Sequence, residues 1–316
     1  MRHPDRVTIV EVGPRDGLQN EAAQVSTADK IAFVNALSDA GPPVIEVSAF
    51  VSPKWVPRMA DASEVFAGIT RRNDIRYTAL VPNVAGLARA EAAGLSEVAI
   101  FAAASETFSQ RNINQNIDAS LETYREVCSR AATLGMRVRA YLSTAFGCPY
   151  EGDVPAERVA TIAAALIGMG AFEVAVSDTI GIAHPGQVVS VVETVAGRVP
   201  LDRIALHFHD TRGTALANVL AALDLGIATF DSAAGGLGGC PYAPGAAGNL
   251  ATEDLIYMLD GLGITTGIAL PKVVEASRFI EARVGHALPS RYAQAVRATT
   301  GGAPPSTQRG DRHSSS

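Results

Sequence analysis

Short apolar runs rich in β-branched residues alternate along the chain with longer stretches in which apolar residues recur at helical spacing. Each run is four to eight residues long, and several are almost continuously hydrophobic, as expected for parallel strands buried on both faces. The predicted strands are residues 7–12, 44–47, 75–81, 97–101, 136–143, 172–177, 204–209 and 229–233. The predicted helices are 30–37, 84–93, 121–134, 159–169, 188–195, 215–223, 254–259 and, after the last of these repeats, 270–284.

Eight strand–helix repeats in about 260 residues predict an α/β fold of the closed (β/α)8 TIM-barrel type. An open doubly wound sheet would carry a G-x-G-x-x-G turn after its first strand, whereas this first strand leads into GPRDG at 13–17. We expect a single domain over 1–298, with the barrel at about 7–262 and an additional C-terminal helical segment at about 268–298. Residues 299–316, rich in Gly, Pro and Ser, are expected to form a disordered tail.

The composition and charge of the chain argue against some classes of binding partner. Of the 316 residues, 47 % are hydrophobic and 18 % are charged, which allows a large core. The net charge of −6 is unlike that of proteins that bind a nucleic-acid backbone. The uncharged stretch 232–252 contains eight Gly and Pro residues, which argues against a membrane helix. Because three cysteines cannot all pair and no secretory signal is recognisable, we expect a cytoplasmic protein without nucleic-acid or membrane partners.

In TIM barrels the active site lies at the carboxyl ends of the strands and in the loops that follow them. Polar residues of this chain occur where that rule expects them. They are Arg15 and Asp16 after the first strand, Glu46 in the second, Asp178 and Thr179 after the sixth, and His207 and His209 in the seventh. The eighth strand leads into a glycine-rich segment, 234–250.

His207 and His209 are two residues apart on one strand, so both imidazoles lie on the same face. They could bind one metal ion, or they could be a hydrogen-bonded pair of core histidines. Because the eighth strand closes onto the first, Asp16 and the glycine-rich segment are expected beside them, with the Asn249 carbonyl as a fourth ligand. Two nitrogen and two oxygen donors favour Mg²⁺ or Mn²⁺ over Zn²⁺, since no thiolate is included.

Three further residues are candidates for chemistry. Arg15 could stabilise an enolate or bind a carboxylate, and a surface ion pair is the alternative. Glu46 lies in an apolar strand and needs a charged partner, for which Arg139 is one candidate; the pair could also be purely structural. The glycine-rich segment is either a flexible surface loop or a mobile lid that carries Cys240 over the site.

Together these residues resemble the 3-hydroxy-3-methylglutaryl-CoA (HMG-CoA) lyases, which belong to the divalent-metal lyases and synthases built on a TIM barrel. The resemblance covers about residues 7–268. Its motifs are VEVGPRDGLQNE (10–21), IEV (45–47), FVSPKWVP (50–57), SDTIG (177–181), the His207/His209 strand and GLGGCPY (236–242). The GLGGCPY loop is the motif most specific to the lyases.

The resemblance implies a role for each matching position. Metal ligands would be Asp16, His207, His209 and Asn249. Catalytic roles would fall to Arg15 at the thioester oxygen, to His207 and to Cys240 on the loop, with Glu46 and Asp178 supporting the site. Arg15, Gln19 and Thr179 would bind substrate. One position departs from the pattern, since Ala49 stands where a hydroxyl residue is expected, which bears on substrate preference.

The activity implied is an Mg²⁺- or Mn²⁺-dependent retro-Claisen cleavage of HMG-CoA to acetyl-CoA and acetoacetate. It needs no organic cofactor beyond the CoA of the substrate, and a homodimer in leucine degradation and ketone-body formation is implied too. Alternatives are a lyase for another branched 3-hydroxyacyl-CoA, such as citramalyl-CoA or an isoprenoid glutaryl-CoA, and a Claisen synthase that uses a 2-oxo acid. A barrel that binds acyl-CoA without catalysis is the alternative from another class.

Overall fold

In the computed structural model, eight parallel strands close into a barrel in which every strand pairs with the next and β8 pairs with β1. The strands are β1 (Thr8–Glu11), β2 (Val44–Ala49), β3 (Arg76–Leu80), β4 (Glu97–Ala103), β5 (Arg137–Ser143), β6 (Glu173–Asp178), β7 (Ile204–Phe208) and β8 (Thr229–Ser232). The structure describes residues 3–239 and 247–300, the last two by their backbone only. The predicted TIM barrel is confirmed.

Helices surround the barrel, and each is short enough to cover one or two strands. They are α1 (Thr27–Ala40), α2 (Ala62–Gly68), α3 (Val84–Ala92), α4 (Glu106–Ile113), α5 (Ile117–Thr133), α6 (Ala156–Gly168), α7 (Pro185–Ala196), α8 (Ala215–Asp224), α9 (Thr252–Gly261), α10 (Leu270–Val284) and α11 (Arg291–Thr300). No helix in the described ranges has the length and apolar character needed to cross a bilayer.

Capping residues near the helix ends explain where helices such as α1 begin and end. The Ser26 side chain accepts a hydrogen bond from the Asp29 backbone N–H at the start of α1, which satisfies one of the free donors of its first turn. Gly41 ends the same helix with a φ of +87°, a conformation that costs glycine little. The pattern missed α2, α4 and α11, which are seven, eight and ten residues long.

The C-terminal part of the chain adds two helices to the barrel. α10 has the predicted bounds and packs mainly against α1, which flanks the first strand. α11 extends to Thr300 and therefore includes the first two residues of the segment expected to be a tail. Residues 301–316 lie outside the described residues, so the expectation of disorder there stays a prediction.

Closure of the barrel brings β7, β8 and β1 side by side. His207 is the Cα partner of Asp231 in the β7–β8 pair, and Glu11 is the partner of Ser232 in the β8–β1 pair. An additional bridge joins His209 to Asn249, at the far end of the glycine-rich segment. Segments separated by up to about 220 residues of sequence therefore meet at one rim.

Candidate active site and metal centre

A single π-helical turn, Gly13–Gly17, follows β1 and carries the first two candidate residues. The Asp16 and Gly17 N–H groups both donate to the Val12 carbonyl, at 2.8 and 3.2 Å, which closes the turn against the strand end. π-Helical turns of this kind occur often at functional sites. The turn fixes Arg15 and Asp16 at the carboxyl end of the barrel.

Asp16, His207 and His209 come together at this rim. Each offers one ligand atom, and these atoms lie within 4.8 Å of one another. His209 Nε2 lies 4.0 Å from Asp16 Oδ2, and the two imidazole ring centres are 5.2 Å apart. The predicted convergence of three residues on one point is therefore present in the structure.

Two buried polar atoms at the same point have no hydrogen-bond partner within the described residues. They are Asn249 Oδ1 and His209 Nδ1. The Asn249 side chain is itself fixed, because its Nδ2 donates to Asp16 Oδ2 at 2.9 Å and to the Leu237 carbonyl at 3.1 Å. Burying a polar atom without a partner is costly, so an orphaned amide oxygen beside a carboxylate and two imidazoles fits a ligand set for a hard divalent cation.

The charge states of Asp16 and His209 suit metal binding. Burial and the neighbouring His207 lower the pKa of His209 to about 4, so this imidazole is neutral near pH 7 and its lone pair is free. Burial by itself would raise the pKa of Asp16, but Arg15 and the two histidines hold it well below its ordinary value. A carboxylate and a neutral imidazole are the forms that bind a cation.

Arg15 is 6 % exposed and lies between two carboxylates. Its Nε donates to Glu46 Oε1 in a short contact, and its Nη1 donates to Asp16 Oδ1 at 2.5 Å. Burial alone would lower its pKa, but Glu46 and Asp16 raise it above the ordinary value, so the guanidinium stays charged. Within the described residues Nη2 has no hydrogen-bond partner, which leaves one nitrogen for a ligand.

The partner of Glu46 is Arg15, and Arg139, the one candidate named from the sequence, does not hydrogen-bond to it. Tyr141 on β5 also donates to Glu46, with its hydroxyl 3.0 Å from Oε2. Arg139 instead donates through Nε to Glu173 at 2.6 Å and through both Nη atoms to Asp231, at 3.3 and 2.8 Å. Distance along the sequence gave no means of choosing between the two arginines.

Sequence reasoning missed Asp231 and Tyr141. Asp231 is 1 % exposed on β8, and its Oδ2 lies 3.2 Å from His207 Nδ1. Burial by itself would raise the pKa of Asp231, but Arg139 and His207 lower it below the ordinary value, so it is a carboxylate. The available signal was an acidic residue inside an otherwise uncharged strand, where a partner is required.

Three other predicted residues occupy the rim, and their roles stay predictions. Asp178 accepts the N–H groups of Ile182 and Ala183, both at 3.0 Å, and so holds the loop after β6. Thr179 Oγ1 accepts the Thr144 N–H at 2.8 Å. Gln19 Oε1 is buried and has no partner in the described part of the chain. Cys240 lies outside the described residues.

Two buried acids hold the base of the glycine-rich segment. Glu11 Oε1 accepts the N–H groups of Gly13 and Ala234, at 2.8 and 2.9 Å, and so ties the π-turn to the end of β8. Glu253 accepts the Gly235 N–H and the Ser277 hydroxyl of α10. Burial raises the pKa of each to about 7, since neither faces a cation.

The two ends of the segment pass very close to each other and to the π-turn. A Cβ on Gly248 would lie 1.7 Å from the Gly238 carbonyl oxygen, and a Cβ on Gly238 would lie 2.8 Å from the Gly17 Cα. Gly238 also has a φ of +95°. Only glycine fits these positions, so the richness in glycine reflects close backbone packing at the site.

Comparison with known proteins agrees with this geometry. The family model described as HMGL-like matches residues 6–280. Hydroxymethylglutaryl-CoA lyase of Bacillus subtilis is 50 % identical over 95 % of this chain and all of its own length. A Pseudomonas aeruginosa protein named as a 3-hydroxy-3-isohexenylglutaryl-CoA/hydroxymethylglutaryl-CoA lyase is 52 % identical over 94 % of this chain and 99 % of its own.

Solved structures give the same result. The crystal structure of hydroxymethylglutaryl-CoA lyase from Pseudomonas aeruginosa superposes with a TM-score of 0.93 at 52 % identity, covering 95 % of this chain and 100 % of that one. An HMG-CoA lyase from Acinetobacter baumannii, solved with coenzyme A and 3-methylmalate, is 38 % identical with a TM-score of 0.87, covering 99 % and 98 %. The chain therefore belongs to the HMGL-like family.

Proposed function

We propose that this protein cleaves HMG-CoA to acetyl-CoA and acetoacetate as a carbon–carbon lyase. The observation that carries the proposal is the meeting of Asp16, His207 and His209 beside an arginine with one nitrogen that has no hydrogen-bond partner among the described residues. The relatives named as HMG-CoA lyases support it, since they match over almost the whole chain. An acyl-CoA is accordingly the class of substrate.

A divalent cation, Mg²⁺ or Mn²⁺, is the proposed cofactor. Asp16, His207, His209 and Asn249 would hold it, and the orphaned Asn249 oxygen described above fits this donor set. When bound, such a cation lowers the pKa of a hydroxyl that it contacts, and so eases removal of the proton from the tertiary alcohol.

In the cleavage, Arg15 stabilises the negative charge that develops on the thioester oxygen. The C3 hydroxyl loses its proton, the C2–C3 bond breaks, and the C3 carbon becomes the ketone of acetoacetate. The electron pair of the broken bond moves into the thioester, whose oxygen gains negative charge. Arg15 Nη2 can donate to that oxygen, while Glu46 and Asp16 hold the rest of the guanidinium in place.

Two proton transfers remain. Asp16 is a poor proton acceptor because its pKa is held far below the ordinary value, and both imidazoles are proposed ligands of the cation, so a water molecule serves better as the base. The enolate then takes a proton at C2 to give acetyl-CoA. Cys240 is the proposed donor, because both ring nitrogens of His207 have partners, the proposed cation and Asp231.

A larger substrate is the second candidate. The Pseudomonas aeruginosa relative is named for both an isohexenyl and a methyl glutaryl-CoA, and its identity to this chain is as high as that of the other relatives. Ala49, at the end of β2, also lacks the expected hydroxyl. Comparing kcat/KM for HMG-CoA, isohexenylglutaryl-CoA and citramalyl-CoA will rank the substrates, and we expect HMG-CoA to be cleaved.

The homodimer, the cytoplasmic location and the place in leucine degradation and ketone-body formation remain proposals that rest on the family. Sedimentation of the purified chain tests the first. The Claisen synthase receives no support from the names of the relatives, which are lyases.

The test of the proposed function is direct. Purified protein, treated with chelator and then given Mg²⁺ or Mn²⁺, is incubated with HMG-CoA while acetoacetate and acetyl-CoA are measured. We expect equal amounts of both products only when metal is added back, and a loss of at least about 100-fold in His209→Ala. Asp74→Asn, an exposed acid in a surface ion pair, is the matched control and should keep full activity. Full turnover in the chelated enzyme would contradict the proposal.

A further inference from the structure

The two histidines of the candidate metal centre differ in their second contact. His207 Nδ1 lies 3.2 Å from Asp231 Oδ2, and both side chains are buried. Their Cα atoms are partners in the β7–β8 pair, so the two side chains extend from neighbouring strands at the same level. His209 Nδ1 has no partner within the described residues. A carboxylate therefore faces one imidazole and not the other.

Asp231 cannot turn away from His207, because Arg139 holds it from across the barrel. Arg139 Nη2 donates to Oδ1 at 2.8 Å and Nη1 donates to Oδ2 at 3.3 Å. The arginine is in turn held by Glu173, its Cα partner on β6, which accepts from Nε at 2.6 Å. Two-pronged contacts of this kind fix both the position and the plane of a carboxylate.

The Asp231 carboxylate, which accepts from both Nη atoms of Arg139, only accepts hydrogen bonds, so its hydrogen bond with His207 requires a proton on Nδ1 of that ring. Its Nε2 then keeps the lone pair. We propose that Asp231 is a positioning residue that fixes the tautomer and ring plane of His207, so that Nε2 faces the cation. This inference rests on the proposed function, since it concerns the same metal centre.

The variant Asp231→Asn gives a sharp test because the geometry dictates how the amide sits. Its oxygen should take the place of Oδ1, where Arg139 makes the closer contact, and its NH₂ group should take the place of Oδ2. That NH₂ group then donates to His207 Nδ1. The histidine is forced into the Nε2–H tautomer, which has no lone pair for the cation.

The tautomer can be read by ¹⁵N NMR of the metal-free protein with labelled histidine. The chain has six histidines, and His207→Gln identifies the signal of His207. We expect protonated Nδ1 in the wild type and protonated Nε2 in Asp231→Asn. Protonated Nε2 in the wild type would overturn the inference, whether or not the variant folds.

Metal affinity is the second readout. Mn²⁺ titrations by calorimetry should show binding about 10- to 100-fold weaker in Asp231→Asn than in the wild type. Glu173→Gln is the matched control, because it removes the charge of the other partner of Arg139 and leaves the contact between Asp231 and His207. We expect its Mn²⁺ affinity to stay within about threefold.

Equal losses of Mn²⁺ affinity in both variants would show that Asp231 has only a structural role and would overturn the inference. Unchanged affinity in Asp231→Asn would do the same while leaving the proposed lyase activity intact. If the wild type binds no Mn²⁺ and cleaves no HMG-CoA, the proposed function itself fails, which is a distinct result.

Discussion

Two buried arginines, Arg15 and Arg139, lie close to the same tyrosine ring but have different surroundings. Their guanidinium carbons are 5.3 and 4.9 Å from the centre of the Tyr141 ring. Arg139 uses all three nitrogens on two carboxylates, whereas Arg15 uses two and leaves Nη2 without a partner in the described residues. A guanidinium whose nitrogens all have hydrogen-bond partners can only stabilise the structure. One at the rim with a nitrogen still available can donate a hydrogen bond to a negatively charged oxygen of a substrate.

The same contrast governs the buried carboxylates. Asp16 and Asp231 face arginines, and their pKa values lie below the ordinary range of the residue. Glu11 and Glu253 meet only hydroxyl and backbone N–H donors, and burial raises the pKa of each to about 7. Asp16 and Asp231 are therefore charged near neutral pH, whereas Glu11 and Glu253 titrate close to it. An arginine does not always outweigh burial, because the pKa of Glu46 is raised even beside Arg15.

The largest expected effect is on folding. Arg139→Met leaves Asp231 and Glu173 buried without their cation, and breaking such a pair costs about 3–5 kcal/mol. Urea unfolding of the variant measures the loss in free energy of unfolding. A loss below about 1 kcal/mol would show that Arg139 is not the structural member of the pair.

Arg15→Met should act mainly on turnover. Removing a donor at a developing oxyanion costs about 10²–10³ in kcat. Steady-state kinetics with HMG-CoA measures this loss. Arg72→Met, an exposed arginine in a surface ion pair, is the control and should leave kcat unchanged. If kcat falls less than tenfold in Arg15→Met, the unpaired nitrogen has no role in the reaction.

Glu253→Gln tests the acids that lack an arginine. A carboxyl whose pKa is raised by folding stabilises the fold while protonated, fully below pH about 4.5, and loses that contribution as the pH rises through about 7. Glutamine keeps the uncharged form at every pH. The free energy of unfolding of the variant relative to the wild type should therefore rise between pH 5 and 8, by up to about 3 kcal/mol. A difference independent of pH would contradict the assignment.

The smallest effect is expected for Tyr141→Phe. The hydroxyl donates to Glu46, the partner of Arg15, and not to the carboxylates of Arg139. Loss of one hydrogen bond to a charged group is worth about 1.5–3 kcal/mol, shared between stability and the placement of Arg15. We expect kcat to fall about tenfold and the melting temperature to change by a few degrees. If only the stability falls and kcat does not, Tyr141 has a structural role like that of Arg139 and does not act through Arg15.

The sequence by itself determined the barrel and most of the residues of the candidate metal centre. Eight buried strands with helical stretches between them fit few folds, and the period of the apolar residues is a local property that a sequence displays directly. The barrel rule then located Asp16, His207, His209 and Asn249, because strand ends can be read from the same pattern. The close backbone contacts of Gly238 and Gly248 gave the glycine-rich signal, although not its reason.

Only the tertiary structure decided which charged groups pair with which. The sequence does not show that Glu46 pairs with Arg15 and not with Arg139, nor that Asp231 pairs with Arg139. Pairing inside a barrel depends on side chains that reach across the interior from strands far apart in sequence, such as β5 and β8. The spacing of residues along the chain does not show which side chains meet across the barrel. Only the closed barrel shows that all three nitrogens of Arg139 have partners and that Nη2 of Arg15 has none among the described residues.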